Sequence, residues 1–404
     1  MSEPAPQPAV RRVRAAFARG ARDHSFRAAF AAFAVTRLLI FAIVVSSAQL
    51  ALVSMDPQND YRSGSINLNK TPVTRILRAR GARADGNWYI SIAQLGYDPR
   101  PYSAERQANW AFFPAYPLLL RFVSRLTGDP PLTGILLSTL FLLPALFLLH
   151  RTALAFGLDA AAADRTVFYV AAFPVSYFFS LPQTESLFLL LTVGSFYAAK
   201  RERWWIAGVL GAFASATRVT GVLLLPALAV LYWETYRTLR PRLNFLPLLL
   251  IPTGLLSFMF FLYRTTGNAL AFRDITVETW GRRPQFFLRT LFSYFSHMLV
   301  IADPWNFRLL NFLAASAALA CGLVLLKRRQ WSLACYTLAA TLVALSNALL
   351  QSQARYAMVV FPAFMVAGAA ARGPRADQVI RTAFLILLTL MSLLYSMHVD
   401  FAMA

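Results

Sequence analysis

The sequence predicts an all-α, polytopic membrane protein, and three observations carry that prediction. Of the 404 residues, 58% are hydrophobic and only 14% are charged, whereas soluble domains run near 45–50% apolar and about 25% charged. Apolar runs recur along the whole chain near the length that spans a bilayer as a helix, about 20 residues. Short, strongly basic turns separate many of these runs, as expected of loops on the cytoplasmic side of a membrane.

About eleven apolar segments qualify as spans on that criterion. They lie near 29–53, 131–150, 166–181, 186–199, 204–217, 219–233, 244–263, 304–326, 331–350, 357–371 and 379–398. The tail before the first span carries Arg11, Arg12, Arg14, Arg19, Arg22 and Arg27, which marks residues 1–28 as a basic cytoplasmic tail. Alternation then places "KRER" (200–203), "RTLRPR" (237–242), "KRR" (327–329) and "RGPR" (372–375) on that same side. The opposite, outer face receives two long segments, about 54–130 and 264–303, and the tight turns near Gln183, Arg218 and Gln353. Residues 29–404 read as one transmembrane domain. The segment 54–130 is too short, and in places too apolar, to be a separate globule. Within it, "TPVTRILRAR" (71–80) and "NWYISIAQLGY" (87–97) have the pattern of short helices lying on the membrane.

The net charge of +21 fits a polytopic protein facing anionic lipid. No basic recognition motif accompanies it, so nucleic acid is not an expected partner. Cys321 and Cys335 sit in apolar runs flanking a basic turn and read as small buried hydrophobes. No cleavable signal peptide is evident, because the first apolar run is long enough to span. There is no internal repeat of the kind common in secondary transporters.

The outer turns share a chemistry. "DGNWYISIAQLGY" (85–97) sets the carboxylate of Asp85 beside Asn87, Trp88 and Tyr89, where an acid can cap a helix or serve a reaction. "WAFFPAYPLLLRF" (110–122) follows, with Phe113 and Tyr116 around two prolines that stiffen the chain. "FPVSYFFSLPQTESLFLLL" (173–191) brings Gln183 and Glu185 to a tight turn, and a carboxylate at that depth is costly unless paired. "ASATRVTGVLLLP" (214–226) adds Arg218, and "LLQSQARYAMVVFP" (349–362) adds Arg355 and Tyr356. Snorkelling accounts for each arginine alone. Together, Arg218 and Arg355 can clamp a phosphate. A site with one acid and several arginines at the membrane boundary suits an anionic substrate with a lipid tail, such as a sugar on a polyprenyl phosphate.

These blocks, in this order, resemble those of the PIG-V family, the GPI mannosyltransferase 2 type. The resemblance covers about residues 80–230 and, more loosely, 349–364 ("QARYAMVVFPAF" is its last block). It implies a GT-C fold, with the catalytic acid in the first outer loop. It implies mannose transfer from dolichyl- or polyprenyl-phosphate mannose with inversion at the anomeric carbon. It carries the acid role onto Asp85 and substrate-site roles onto Glu185, Arg218 and Arg355. Ala84 stands where the family often has an aromatic. The short loops and basic N-terminus look bacterial, which implies the plasma membrane and a glycolipid, lipid-linked or protein hydroxyl acceptor; the ER membrane is the eukaryotic alternative.

The chemistry is compatible with a small residue set. Inverting transfer needs one base to take the acceptor proton. The leaving phosphate ester is already an anion and needs only charge stabilisation. A hydrolase with two carboxylates is the alternative that Glu185 leaves open. His297 and His398 are isolated and no D-x-D pair occurs in the outer loop, so no obligatory metal or other cofactor is expected. A transporter or flippase of a lipid-linked sugar is a second class, and it would place ionisable groups near mid-span; Arg37 is the main such charge. A structural membrane subunit is the third.

Overall fold

The computed structural model describes residues 23–54, 72–81, 83–238 and 243–402. The arginines of the tail through Arg22, residues 55–71 of the first long loop and residues 239–242 of the basic turn at 237–242 lie outside the described residues.

The described chain is helical throughout, and its only β pairings are two isolated bridges. In order, the helices are α1 His24–Ser54, α2 Val73–Gly81, α3 Asp85–Leu95, α4 Ala115–Thr127, α5 Pro130–Ala155, α6 Ala160–Ala172, α7 Glu185–Lys200, α8 Trp204–Thr217, α9 Leu224–Tyr236, α10 Thr253–Thr266, α11 Ala271–Glu278, α12 Phe287–Phe292, α13 Arg308–Lys327, α14 Trp331–Leu345, α15 Gln353–Ala357, α16 Phe361–Ala370 and α17 Pro374–Ser396. Each of the predicted spans carries a helix. Six helical stretches are long and apolar enough to cross a bilayer: His24–Ala51, Pro130–Ala155, Val219–Tyr236, Leu243–Thr266, Arg308–Lys327 and Pro374–Ser396. Trp204–Thr217, Trp331–Leu345 and Phe361–Ala370 are shorter apolar helices.

Local chemistry fixes the boundaries. Asp129 caps α5, its carboxylate accepting from the Leu132 N–H at 3.2 Å, and proline opens the helix. Asp159 caps α6 in the same way, accepting from Ala162 N–H at 2.7 Å. α6 stops at Ala172 because Phe173 precedes Pro174, and a residue before proline is driven out of the α region. The predicted span 166–181 therefore breaks, and continues only as a 3-10 turn, Ser176–Ser180.

That break leaves backbone carbonyls buried, where no water can satisfy them. Arg37 of α1 meets this need. Its guanidinium donates to the carbonyls of Ala171 (2.9 Å) and Ser176 (2.8 Å) and to the hydroxyls of Ser176 (2.9 Å) and Ser180 (3.2 Å). The mid-span charge noted in the sequence is thus a backbone clamp. One continuous core, running from Ala29 to Ala402, surrounds it. A smaller cluster, Trp110, Phe113, Phe258, Leu262, Ala271 and Ile275, joins the two long loops to α10.

Candidate active site

Four helix ends bring the site together. α3 begins at Asp85, and the turn before it is tight. A Cβ on Gly86 would lie 2.7 Å from the Gly81 carbonyl oxygen, so only glycine allows α3 to follow α2 so closely. Ala84, the residue before α3, has φ 45° and ψ −130°, a conformation strained for a residue with a side chain. α7 begins at Glu185, α8 ends at Thr217 with Arg218 beyond it, and the short α15 carries Arg355. α15 is tied in place from both sides. Asn311 Oδ1 accepts from the Ala354 N–H at 2.8 Å, and the Gln353 side chain donates to the Ala344 carbonyl at 2.9 Å.

These ends form a chain of alternating charge. Arg218 Nη1 donates to Glu185 Oε1 at 2.9 Å. Arg355 Nε donates to the same oxygen at 2.6 Å, and Arg355 Nη1 donates to Asp85 Oδ2 at 2.6 Å. The Glu185 side chain is fully buried and that of Arg355 is 8% exposed, while that of Asp85 is 39% exposed. Burial opposes the charge of Arg355, but Glu185 and Asp85 outweigh it and hold its pKa above the ordinary arginine range. Arg355 also lies over the Phe178 ring, 4.8 Å from its centroid.

Asp85 opens onto a cavity of about 1180 Å³. Of the residues singled out in the sequence, Asp85, Trp88, Tyr89, Phe113, Arg218, Arg355 and Tyr356 line it. Four others do not. Asn87 is exposed on the outer side of α3. Tyr116 is fully buried, its hydroxyl bonded to the Gly134 carbonyl at 3.1 Å and to Ser138 Oγ at 2.8 Å. Gln183 is buried as well, and Glu185 stands one layer behind the wall, reaching the cavity only through its arginines. Tyr116 and Gln183 therefore have packing environments, not substrate-facing ones.

Arg282 and Trp280, which motif reading missed, also line the cavity. They sit in "WGRRPQ" of the second long loop, where a tryptophan beside two arginines is the available signal. Arg282 Nη1 donates to the Tyr356 hydroxyl at 2.6 Å. Its guanidinium and that of Arg218 lie 5.6 and 5.5 Å from the Tyr356 ring centroid. Arg218 and Arg355 are engaged by carboxylates, whereas the partners of Arg282 are the neutral groups Tyr356 and Ser352. Arg273 also lines the cavity, so the positive charge left for an anion sits on Arg282 and Arg273, neither of which holds a carboxylate among the described residues. Aromatics form the remaining wall. Trp88 stacks on Phe112 (5.7 Å, 20°) and meets Trp280 edge-on (6.5 Å, 88°).

Fold and site together define a polytopic membrane protein whose helix ends hold an acid–arginine cluster against a large aromatic cavity. No model of a known protein family matches the chain. Over 157 residues it is 29% identical to the GPI alpha-1,6-mannosyltransferase 2 of Cricetulus griseus, a match that takes in 35% of this chain. The chain covers 29% of that relative's length. The resemblance read from the motifs and this match fall on the same kind of protein. Among solved structures, the chain is similar to ArnT from Cupriavidus metallidurans bound to undecaprenyl phosphate (TM-score 0.47, 15% identity, 91% of this chain and 73% of that one). It is also similar to the oligosaccharyltransferase AglB from Archaeoglobus fulgidus in complex with an inhibitory peptide and a dolichol-phosphate (TM-score 0.44, 13% identity, 90% and 56%).

Proposed function

We propose that this protein is a membrane glycosyltransferase of the GT-C type. In this reading it moves mannose from a polyprenyl-phosphate mannose donor to a hydroxyl of a membrane-bound acceptor, with inversion. The observation that carries the reading is the contrast between its two acids. Glu185 is buried between two arginines, while Asp85, the first-loop acid of the PIG-V resemblance, is held by one arginine and opens on the cavity.

Asp85 takes the proton from the acceptor hydroxyl as that oxygen attacks the anomeric carbon. The bond from the anomeric carbon to the phosphate oxygen breaks, and the electron pair leaves with the polyprenyl phosphate. That leaving group needs cationic donors where its charge develops. Arg282 is assigned this task, because Arg218 and Arg355 already hold carboxylates. Trp88 and Trp280 offer apolar faces to the sugar. No step requires a metal.

Helix direction supports an extracytoplasmic site. α7 runs from Glu185 to Lys200 and α13 ends at Lys327, so the basic turns 200–203 and 327–329 lie at helix ends away from the cluster. The transporter reading loses its mid-span ionisable group, since Arg37 is consumed by backbone carbonyls. The test is transfer of labelled mannose by purified protein from polyprenyl-phosphate mannose to a panel of glycolipid, lipid and peptide acceptors. Wild type should transfer and folded Asp85→Asn should not. Near-normal transfer by that variant removes Asp85 as the base.

A further inference from the structure

At the end of the bundle away from the cavity, three helices bring together groups that the transfer reaction does not use. His24 opens α1, His150 lies in the last turns of α5, and Asp164 lies near the start of α6. His24 Nε2 is 3.0 Å and His150 Nε2 2.9 Å from the same oxygen, Asp164 Oδ1. All three ligand atoms lie within 4.8 Å of one another. His150 is fully buried, and His24 is about half exposed, which leaves the group open to solvent on one side.

We propose that His24, His150 and Asp164 form a binding site for a divalent transition-metal ion, zinc above all, that staples α1, α5 and α6 together. Two imidazoles and one carboxylate suit zinc, whereas magnesium and calcium require oxygen donors. Ligands about 2.0–2.1 Å from a tetrahedral ion stand roughly 3.4 Å apart. The observed separations need only a small outward shift to admit it. Water from the exposed side completes the fourth position. The protons balance without loss. Each neutral ring now bonded to Asp164 through Nε2–H moves that proton to Nδ1 and gives the Nε2 lone pair to the metal. His150 Nδ1 is buried and has no partner among the described residues. Metal-bound histidines normally donate that second N–H, and its loss weakens binding by about 10–100-fold. The site is therefore expected to bind more weakly than a structural zinc finger.

The test needs full-length protein without a histidine tag, stripped with EDTA in detergent, reloaded with Zn²⁺ and dialysed. Elemental analysis should find about one zinc per chain in wild type. It should find close to none in His24→Asn, an exposed position that tolerates change, and in Asp164→Asn. Co²⁺ in wild type should give the strong visible bands of four-coordinate cobalt. If either variant fails to fold, the wild-type zinc content and Co²⁺ spectrum decide. Wild type retaining far less than one zinc per chain, or His24→Asn retaining as much as wild type, overturns the proposal. The readout is metal content, so it stands or falls independently of mannose transfer.

Discussion

Asp85 and Glu185 flank the same arginine, yet their removal should fail in different ways. Glu185 is fully buried and accepts two charge-assisted bonds, at 2.9 and 2.6 Å. Taking one partner from a buried ion pair costs about 3–5 kcal/mol, because the other charge stays buried without it. Glu185→Gln keeps an acceptor oxygen, so the lower end, about 3 kcal/mol, applies. Asp85 has one pair, and its side chain is 39% exposed. Water screens such a pair to about 1 kcal/mol or less. Unfolding in mixed micelles by added denaturing detergent, followed by tryptophan fluorescence, should show Glu185→Gln with a folded-to-unfolded ratio lowered roughly hundredfold. Asp85→Asn should fall within about fivefold of wild type on the same scale. Activity should reverse the order. Asp85→Asn should lose about 10²–10⁴ in transfer rate, the usual contribution of a general base. Residual Glu185→Gln activity should track its folded fraction. Equal destabilisation by the two variants, or a larger loss for Asp85→Asn, would refute the division of labour between the acids.

Three further outcomes follow from the geometry. Arg282→Gln should lower kcat/KM for the polyprenyl-phosphate donor about 10–100-fold, the worth of one charge-assisted bond to phosphate, with little change in thermal stability; an unchanged kcat/KM in steady-state kinetics would exclude it from that role. Arg37→Met should destabilise by about 3 kcal/mol or more, because buried carbonyls at the α6 break lose their donor; an unfolding midpoint equal to wild type would disprove the clamp. Ala84→Gly should stabilise by about 1 kcal/mol by relieving a positive φ, and a drop in the unfolding midpoint would show that Ala84 is not strained.

Much of the fold was legible because bilayer physics leaves a strong signal. Runs such as 131–150 and 204–217 are strongly apolar; 204–217 appears as a helix at those limits, and 131–150 lies within the helix Pro130–Ala155. Segment 166–181 was legible only in part. Phe173–Pro174 announces a break, but hydropathy averages over it, and no local signal says that Arg37, far away in sequence, supplies the missing donors. In the site, Asp85, Glu185, Arg218 and Arg355 were readable because a charge in an apolar turn demands a partner. Their pairing was not readable, since it depends on which helix ends meet. Arg218 and Arg355, expected to clamp a phosphate, line the cavity and each hold a carboxylate there. Tyr116 and Gln183 show the converse. Both sit inside suggestive motifs, but the way α4 and the turn before α7 face the core turns their side chains away from the cavity. The group at His24, His150 and Asp164 left no motif, because its members come from three helices and no spacing links them.

Under the proposed mechanism, the order of the four charges would let the cluster be both rigid and reactive. Arg218, Glu185, Arg355 and Asp85 form a line, and exposure is greatest at the Asp85 end. The buried middle carries the electrostatic cost, and Glu185 Oε1 offsets it by accepting from both arginines. Because it is paired, Arg355 presents Nη1 in a fixed direction, and Asp85 inherits an orientation without being sealed from solvent. A base needs that combination, since it must be aimed at the acceptor yet keep an oxygen for the proton. If both acids were equally buried, Asp85 would be locked into structural bonds. If both were exposed, nothing would hold it against the strained turn at Ala84. In the proposed mechanism, the gradient of burial along one line of charge, more than the identity of any one residue in it, would let a single carboxylate act as the base at the edge of a membrane.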